Sequence, residues 1–235
     1  MNKETIIISL GGSLVAPNEI DIEFLKNFRH SLSRYTGSRQ AGQKYSKDYR
    51  FFIFVGGGKV ARNYQKALLE FGAKETDRDW IGINITRLNA EIIKQVFSEK
   101  AYPKIITDPN KKIKTNKDII VGAGWKPGWS TDYDAVLIAK NHNIKTIINL
   151  TNVDYVYDKN PKEFQGAKPI KEISWQDFRK IVGDKWSPGL SMPFDPRASK
   201  IAEKLKLKVV MINGKNLEQL EDFLNNKPFI GTTIQ

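Results

Sequence analysis

Apolar residues fall into short unbroken runs that alternate with stretches repeating every three or four positions, the periods of buried strands and of one-faced helices. Thr5 to Leu10, Arg50 to Val55, Asp118 to Val121, Lys145 to Leu150 and Leu207 to Ile212 read as strands. Arg50 to Val55, Arg-Phe-Phe-Ile-Phe-Val, is too uniformly apolar for a half-exposed strand and suits a central one. Lys104 to Thr107 is a further short strand, and Phe229 to Ile234 a closing one. Helical spacing runs from Asp21 to Leu32, from Lys59 to Phe71 before the stop at Gly72, and from Asp79 to about Phe97 behind a cap at Thr76 or Asp77. Another helix follows Ser130 or Thr131 as cap, with Asp134 at capping-box spacing. Ser174 to Val182, the segment opened by Asp195-Pro196 and Leu217 to Leu224 complete the set. Strand and helix alternate throughout, which predicts one α/β domain over residues 1–235 with a mostly parallel sheet and helices on both faces.

The ends of these strands carry the candidate chemistry. Three empty into glycine loops: Gly11-Gly12-Ser13, Gly56-Gly57-Gly58, and the stretch from Gly122 to the capped helix, which contains Trp125, Lys126, Pro127, Gly128 and Trp129. Glycine lets the backbone come close to a ligand, and a helix start adds N–H groups and a positive dipole end, so each loop can hold an anion. Arg62 stands in the first turn after the triple glycine, where it can reach a bound phosphate. Asp79 either favours the dipole of its helix or bonds a ligand hydroxyl at the same end. A fourth strand end, Thr151 to Pro161, brings Tyr155 and Tyr157, which either line a pocket for a flat base or cover surface. Parallel sheets bind ligands at these carboxyl ends.

Composition narrows the chemistry. The absence of cysteine excludes disulfides and thiolate sites, and two histidines exclude a histidine-rich metal centre, so a metal would be a hard cation on oxygen ligands. The net charge of +12 invites a nucleic-acid reading, but 38 Lys and Arg are interleaved with 26 Asp and Glu and form no long basic run. The densest cluster, Arg34, Arg39, Lys44, Lys47 and Arg50, falls in a polar segment read as exposed, most of it within the long loop Ser33 to Tyr49. A basic chain also suits small polyanions such as nucleotides. No apolar run is long enough to span a bilayer and Met1 to Leu10 lacks the pattern of a signal peptide, so the cytoplasm is the expected location.

In order along the chain, Leu10-Gly11-Gly12-Ser13, Val55-Gly56-Gly57-Gly58-Lys59 with Arg62, Asp79-Trp80-Ile81-Gly82-Ile83 leading to Thr86-Arg87-Leu88-Asn89-Ala90, Pro127-Gly128 with Ser130-Thr131-Asp132, Thr151-Asn152-Val153-Asp154, Asp195-Pro196 and Gly231-Thr232-Thr233-Ile234 resemble the amino acid kinase family, most closely its archaeal type of uridylate kinase. The resemblance implies a three-layer α/β/α sandwich and transfer of the γ-phosphoryl of ATP to UMP in pyrimidine nucleotide biosynthesis, with Mg²⁺ carried by ATP rather than on protein ligands, in a homohexamer. It puts Ser9, Leu10, Gly11, Gly12 and Ser13 along the phosphate path, with Gly58 and Arg62 beside the transferring group. Gly57 and Asp79 would bind UMP together with the loop of Trp125, Lys126, Pro127, Gly128, Trp129, Ser130 and Thr131. Thr151, Asn152, Tyr157 and Asn160 would hold ATP, and Arg62, Lys126 and Lys200 would neutralise charge. A non-catalytic nucleotide-binding relative of the molybdate storage type, or a family enzyme with another small anionic acceptor, is the alternative.

The chain departs from that pattern in four places. Ser9 stands where many relatives carry lysine, though archaeal uridylate kinases often lack it; Tyr155 replaces a usual glycine, Asn160 stands for a common aspartate, and Trp125, Lys126 and Trp129 make the acceptor loop bulkier and more cationic.

Overall fold

A computed structural model describes residues 3–37, 48–161, 163–185 and 192–235. The chain runs β1 (Glu4–Leu10), α1 (Gly12–Val15), α2 (Ile22–Ser33), β2 (Tyr49–Val55), α3 (Gly58–Glu70), α4 (Glu75–Phe97), β3 (Ile119–Gly122), α5 (Thr131–His142) and β4 (Thr146–Thr151). It continues with β5 (Val156–Tyr157), β6 (Pro169–Ile170), β7 (Glu172–Ile173), α6 (Trp175–Val182), α7 (Pro196–Lys204), β8 (Lys208–Asn213), α8 (Leu217–Leu224) and β9 (Thr232–Ile234). The main sheet is ordered β3-β2-β1-β4-β8-β9-β7 and every neighbouring pair is parallel except β8 with β9, while β5 and β6 form a separate antiparallel ribbon.

Burial explains why the central strands lack polar alternation. Ile6, Ile8, Phe51, Ile53, Ile119 and Val121 pack under α2, α4 and α8, against Phe28, Leu32, Ile93, Phe97, Leu220 and Leu224. Their alternate neighbours Ile7, Phe52, Phe54, Ile120, Ile147 and Val209 pack on the opposite face against Ala135, Ile138, Phe178, Ala198 and Ala202 of α5, α6 and α7. Helices thus cover both faces, giving the three-layer α/β/α sandwich. Register then brings the site together: Leu10 lies opposite both Val55 and Leu150, so β1, β2 and β4 end level. Gly11 N–H donates to Leu150 O and Gly56 N–H to Leu10 O, each at 2.9 Å, so the loops leave the sheet side by side.

Several local expectations change. Lys104 to Thr107 is no strand; only Ile106 pairs, as one bridge to Gly122, because Pro103 interrupts the chain and has no N–H for a ladder. Asp118 stays outside β3, its carboxylate drawn to Lys3 at 2.5 Å. Helix α4 starts at Glu75, before either expected cap; its N-cap is Lys74 without a side-chain bond, and Glu75 and Asp77 offset the dipole from the first turn. Asp79 therefore sits one turn inside the helix. The glycines after β1 run straight into α1. Within the expected basic loop, Arg34 pairs with Glu221 at 2.6 Å and Arg50 belongs to β2, so neither is part of a free patch. Arg39, Lys44 and Lys47 lie outside the described residues, as do residues 187–191 of the expected proline-rich turn. Among the described residues no helix is long and apolar enough to cross a membrane.

Candidate active site

The first two glycine loops touch backbone to backbone. A Cβ on Gly12 would stand 2.1 Å from Gly56 O and 2.4 Å from Gly58 N, and Gly58 itself has φ +64°, a conformation that favours glycine. From α4, Asn89 Nδ2 donates to Gly56 O at 2.9 Å and fixes the second loop from behind. Helix α3 has no side-chain cap, so its first N–H groups face the space beside these glycines.

That space is a cleft of about 150 Å³, with Gly57, Gly58, Arg62, Asp79, Trp129, Ser130 and Thr131 in its wall. These are residues expected on the acceptor and the transferring phosphoryl. The cleft also takes Gln65, which the sequence had not singled out, with Gly82 and Thr86 from the α4 motifs and Gly124 from the third glycine loop. Thr86 Oγ accepts from Gly124 N–H at 2.8 Å and donates to Ile83 O at 2.6 Å, while Arg87 Nη2 donates to the carbonyls of Gly124 and Trp125. Helix α4 therefore holds both glycine loops that flank the cleft. Asp79, buried, accepts the Gly128 N–H at 2.5 Å. Burial pushes its carboxyl above the usual range; the Gly128 hydrogen bond opposes the rise, Glu75 adds to it and Arg197 opposes it again.

A carboxylate network that sequence spacing did not show underlies the third loop. Ser9 Oγ donates to Asp132 Oδ1 at 2.6 Å, the other Asp132 oxygen accepts the Asp195 N–H at 3.2 Å, and the Ser130 hydroxyl donates to Asp195. Asp195 caps α7 as expected, accepting from Arg197 N and Ala198 N. Withdrawal from water lifts Asp132 to about 6, against the Ser9 hydrogen bond and with the help of the Asp195 charge. Ser130, not Thr131, caps α5, by accepting the Tyr133 N–H. Asp134 makes no capping box: it is wholly buried and accepts the Trp125 N–H at 3.1 Å.

Burial raises Asp134 furthest, to about 8, with the Trp125 hydrogen bond opposing and Asp195 and Asp132 adding. Its folded pKa exceeds the unfolded value of about 3.9, so stability is fully present below that value and is lost as pH rises towards 8. Asp134→Asn keeps an acceptor for Trp125 but removes the titration. Its thermal midpoint is expected to gain on the wild type as pH rises from 5 to 8, by an amount equivalent to a few kcal/mol, since one pKa unit is worth about 1.4 kcal/mol. Parallel pH profiles for the two proteins would show that Asp134 does not carry the charge cost.

Aromatic rings frame the same loop. The Trp125 and Trp129 centroids are 6.1 Å apart, and Tyr133 lies 4.2 Å from Trp129. Lys126 Nζ rests 4.0 Å from the Trp125 ring, on the exposed side of the loop. Lys200 is exposed on α7. Neither lysine is in the cleft wall; Arg62 is. Of the residues expected at ATP, Thr151 ends β4 beside Gly11, and Asn152 follows it in the open. The Leu10 side chain is buried in the core, so only its backbone can face a phosphate, and Ser9 is buried against Asp132. Tyr155 and Tyr157 meet edge to face at 6.4 Å, and exposed Asn160 donates to Glu163 at 2.7 Å. Among the described residues no group of three or more His, Cys, Asp or Glu is placed to hold a metal ion.

Residues 4–213 match the amino acid kinase family. The chain belongs to the amino acid kinase family. Within the family, it is 34% identical over 234 residues to the uridylate kinase of Pyrococcus abyssi, covering 98% of this chain and 99% of that one. It is 30% identical to the uridylate kinase of Methanobrevibacter smithii, with 97% and 98% covered. The crystal structure of Archaeoglobus fulgidus uridylate kinase superposes with a TM-score of 0.79 at 32% identity, covering 98% of this chain and 99% of the other. The UMP kinase of Bacillus anthracis, at 18% identity and a TM-score of 0.76, shares the fold. The α/β/α layers and glycine-loop edge described above are thus those of an amino acid kinase.

Proposed function

We propose that this chain transfers the γ-phosphoryl group of ATP to UMP, giving ADP and UDP. The observation that carries the reading is the convergence of Gly57, Gly58, Arg62 and Asp79 on one cleft at the end of β1, β2 and β4, in a chain alignable almost end to end with uridylate kinases. Asp79 would take the ribose hydroxyls and Arg62 the phosphate. An oxygen of the UMP phosphate, already ionised near neutral pH, forms the new bond to the γ-phosphorus as the bridging bond to ADP breaks, so no general base is needed. Glycine-loop N–H groups and Arg62 would align the two anions and offset their charge. With Ser9 neutral, no lysine at the end of β1 shares that task.

ATP would enter with Mg²⁺ as part of the substrate, in keeping with the Asp132 and Asp195 carboxylates being taken up by hydroxyl and amide partners. Residues 1–235 would act as one domain in the cytoplasm, serving pyrimidine nucleotide synthesis. Exposed Tyr64 and Leu69 on α3 and Phe71 just past its end, with Trp80 and Leu88 on α4, support burial against further copies of the chain, and a homohexamer is the expected assembly.

The deciding measurement is ADP release from Mg-ATP with UMP, CMP, dUMP, carbamate, acetylglutamate and isopentenyl phosphate offered separately. Turnover selective for UMP is expected. Preference for a different acceptor would reassign the cleft, and binding of ATP without turnover of any acceptor would make the chain a non-catalytic member of the family.

A further inference from the structure

One residue of the acceptor loop is gripped from both sides. Asp79 accepts the N–H of Gly128, and Arg197 Nη2 donates to the carbonyl oxygen of the same residue. Gly128 has φ +87°, a conformation that side-chain-bearing residues rarely adopt, so the turn needs this glycine and gains from being held. The Arg197 guanidinium carbon also lies 5.1 Å from the centre of the Trp129 ring, and Trp129 forms part of the cleft wall. The backbone of Arg197 is itself fixed, because Asp195 accepts its N–H while taking the Ser130 hydroxyl. The start of α7 therefore binds Gly128, Trp129 and Ser130 in succession.

We propose that Arg197 is a positioning residue for the acceptor: it sets the acceptor-loop turn and the attitude of the Trp129 ring against the nucleoside of the incoming monophosphate. The inference rests on UMP being the acceptor. Arginine suits the task because a planar guanidinium can donate in its plane to a carbonyl while its face lies over an indole; an ammonium group does one or the other. The two guanidinium contacts, to Gly128 and to Trp129, both fall on the acceptor loop, whereas Thr151 and Gly11 stand at the ends of β4 and β1. Loss of Arg197 should therefore be felt by one substrate and not by both.

The test is steady-state kinetics of the full chain and of Arg197→Met and Arg197→Lys, varying UMP and ATP in turn, with thermal midpoints measured alongside. Arg197→Met is expected to raise KM for UMP about tenfold, the loss of one charge-assisted hydrogen bond and one cation–π contact, while KM for ATP stays within twofold and kcat within threefold. Arg197→Lys, which keeps the charge but not the fork, should raise KM for UMP at least threefold and decides the matter if the methionine variant melts below the assay temperature. An unchanged KM for UMP, or equal rises for UMP and ATP, overturns the positioning role. No turnover of UMP by the wild type overturns the functional reading and this inference with it, so the two failures are told apart in one experiment.

Discussion

Gly12→Ala is expected to lower kcat/KM for UMP phosphorylation by at least a hundredfold and to reduce the thermal midpoint by several degrees. The added methyl would stand 2.1 Å from Gly56 O and 2.4 Å from Gly58 N, and neither atom can swing away as a side chain would. Gly56 is tied through its N–H to Leu10 and through its carbonyl to Asn89, each at 2.9 Å. Relief must come from separating the loops, and that moves the amides that would align both phosphates. Overpacking of this kind costs about 1–3 kcal/mol, and a domain of this size loses about 2–4 °C per kcal/mol. Activity should fall much further than stability, because a displacement of about 1 Å in reacting groups alone costs about a hundredfold. Gly166→Ala is the control: a Cβ there meets nothing within 4 Å. Kinetics and melting curves of the three proteins check the claim, and near-normal turnover by Gly12→Ala would remove the paired glycine loops from the phosphate path.

The contrast between those two glycines also marks what a sequence can and cannot disclose. Strands such as Arg50 to Val55 were legible because burial on both faces leaves an unbroken apolar run, and the first two glycine loops because close backbone approach admits little else, while the third needs glycine for the positive φ at Gly128. Antiparallel β9 was not, since three residues, Thr232 to Ile234, carry no signal of strand direction. Capping was read correctly at Asp195 and Ser130 and wrongly at Thr76, Asp77 and Thr131, where a preferred residue type sits inside a helix rather than at its start. In the candidate site, Arg62 and Asp79 were visible as polar residues near the starts of helices, though each lies one turn inside its helix. The link from Ser9 to Asp132 spans 123 positions and depends on which strand lies beside which, so no local pattern announces it. Asp134 misled for a related reason: its spacing satisfied a capping box, but in the fold its carboxyl is drawn into the interior by the Trp125 amide. Lys126 is the converse case, a cation suggestively placed in sequence that the folded loop lays over an indole face at its exposed edge.

With Lys126 and Lys200 away from the cleft wall, Arg62 becomes the residue whose loss should matter most to the chemistry. Arg62→Ala is expected to reduce kcat/KM for UMP by about a hundredfold to a thousandfold, the usual cost of removing a preorganised donor to developing charge. Its side chain is exposed at the start of α3, lines the cleft beside Gly57 and Gly58, and forms no ion pair with a carboxylate among the described residues. The charge is thus available to an anion, and removing it leaves no buried partner behind, so the thermal midpoint should stay within about a degree, as for other surface substitutions. Arg62→Lys separates charge from geometry. Lysine keeps the positive charge but cannot make the two parallel hydrogen bonds of a guanidinium to phosphate, and an intermediate loss is expected. If Arg62→Ala turned over UMP at the wild-type rate, transition-state charge would have to be met by the loop amides and the metal carried by ATP alone. Equal losses in the alanine and lysine variants would instead mean that the arginine acts through its hydrogen-bond geometry and not through its charge.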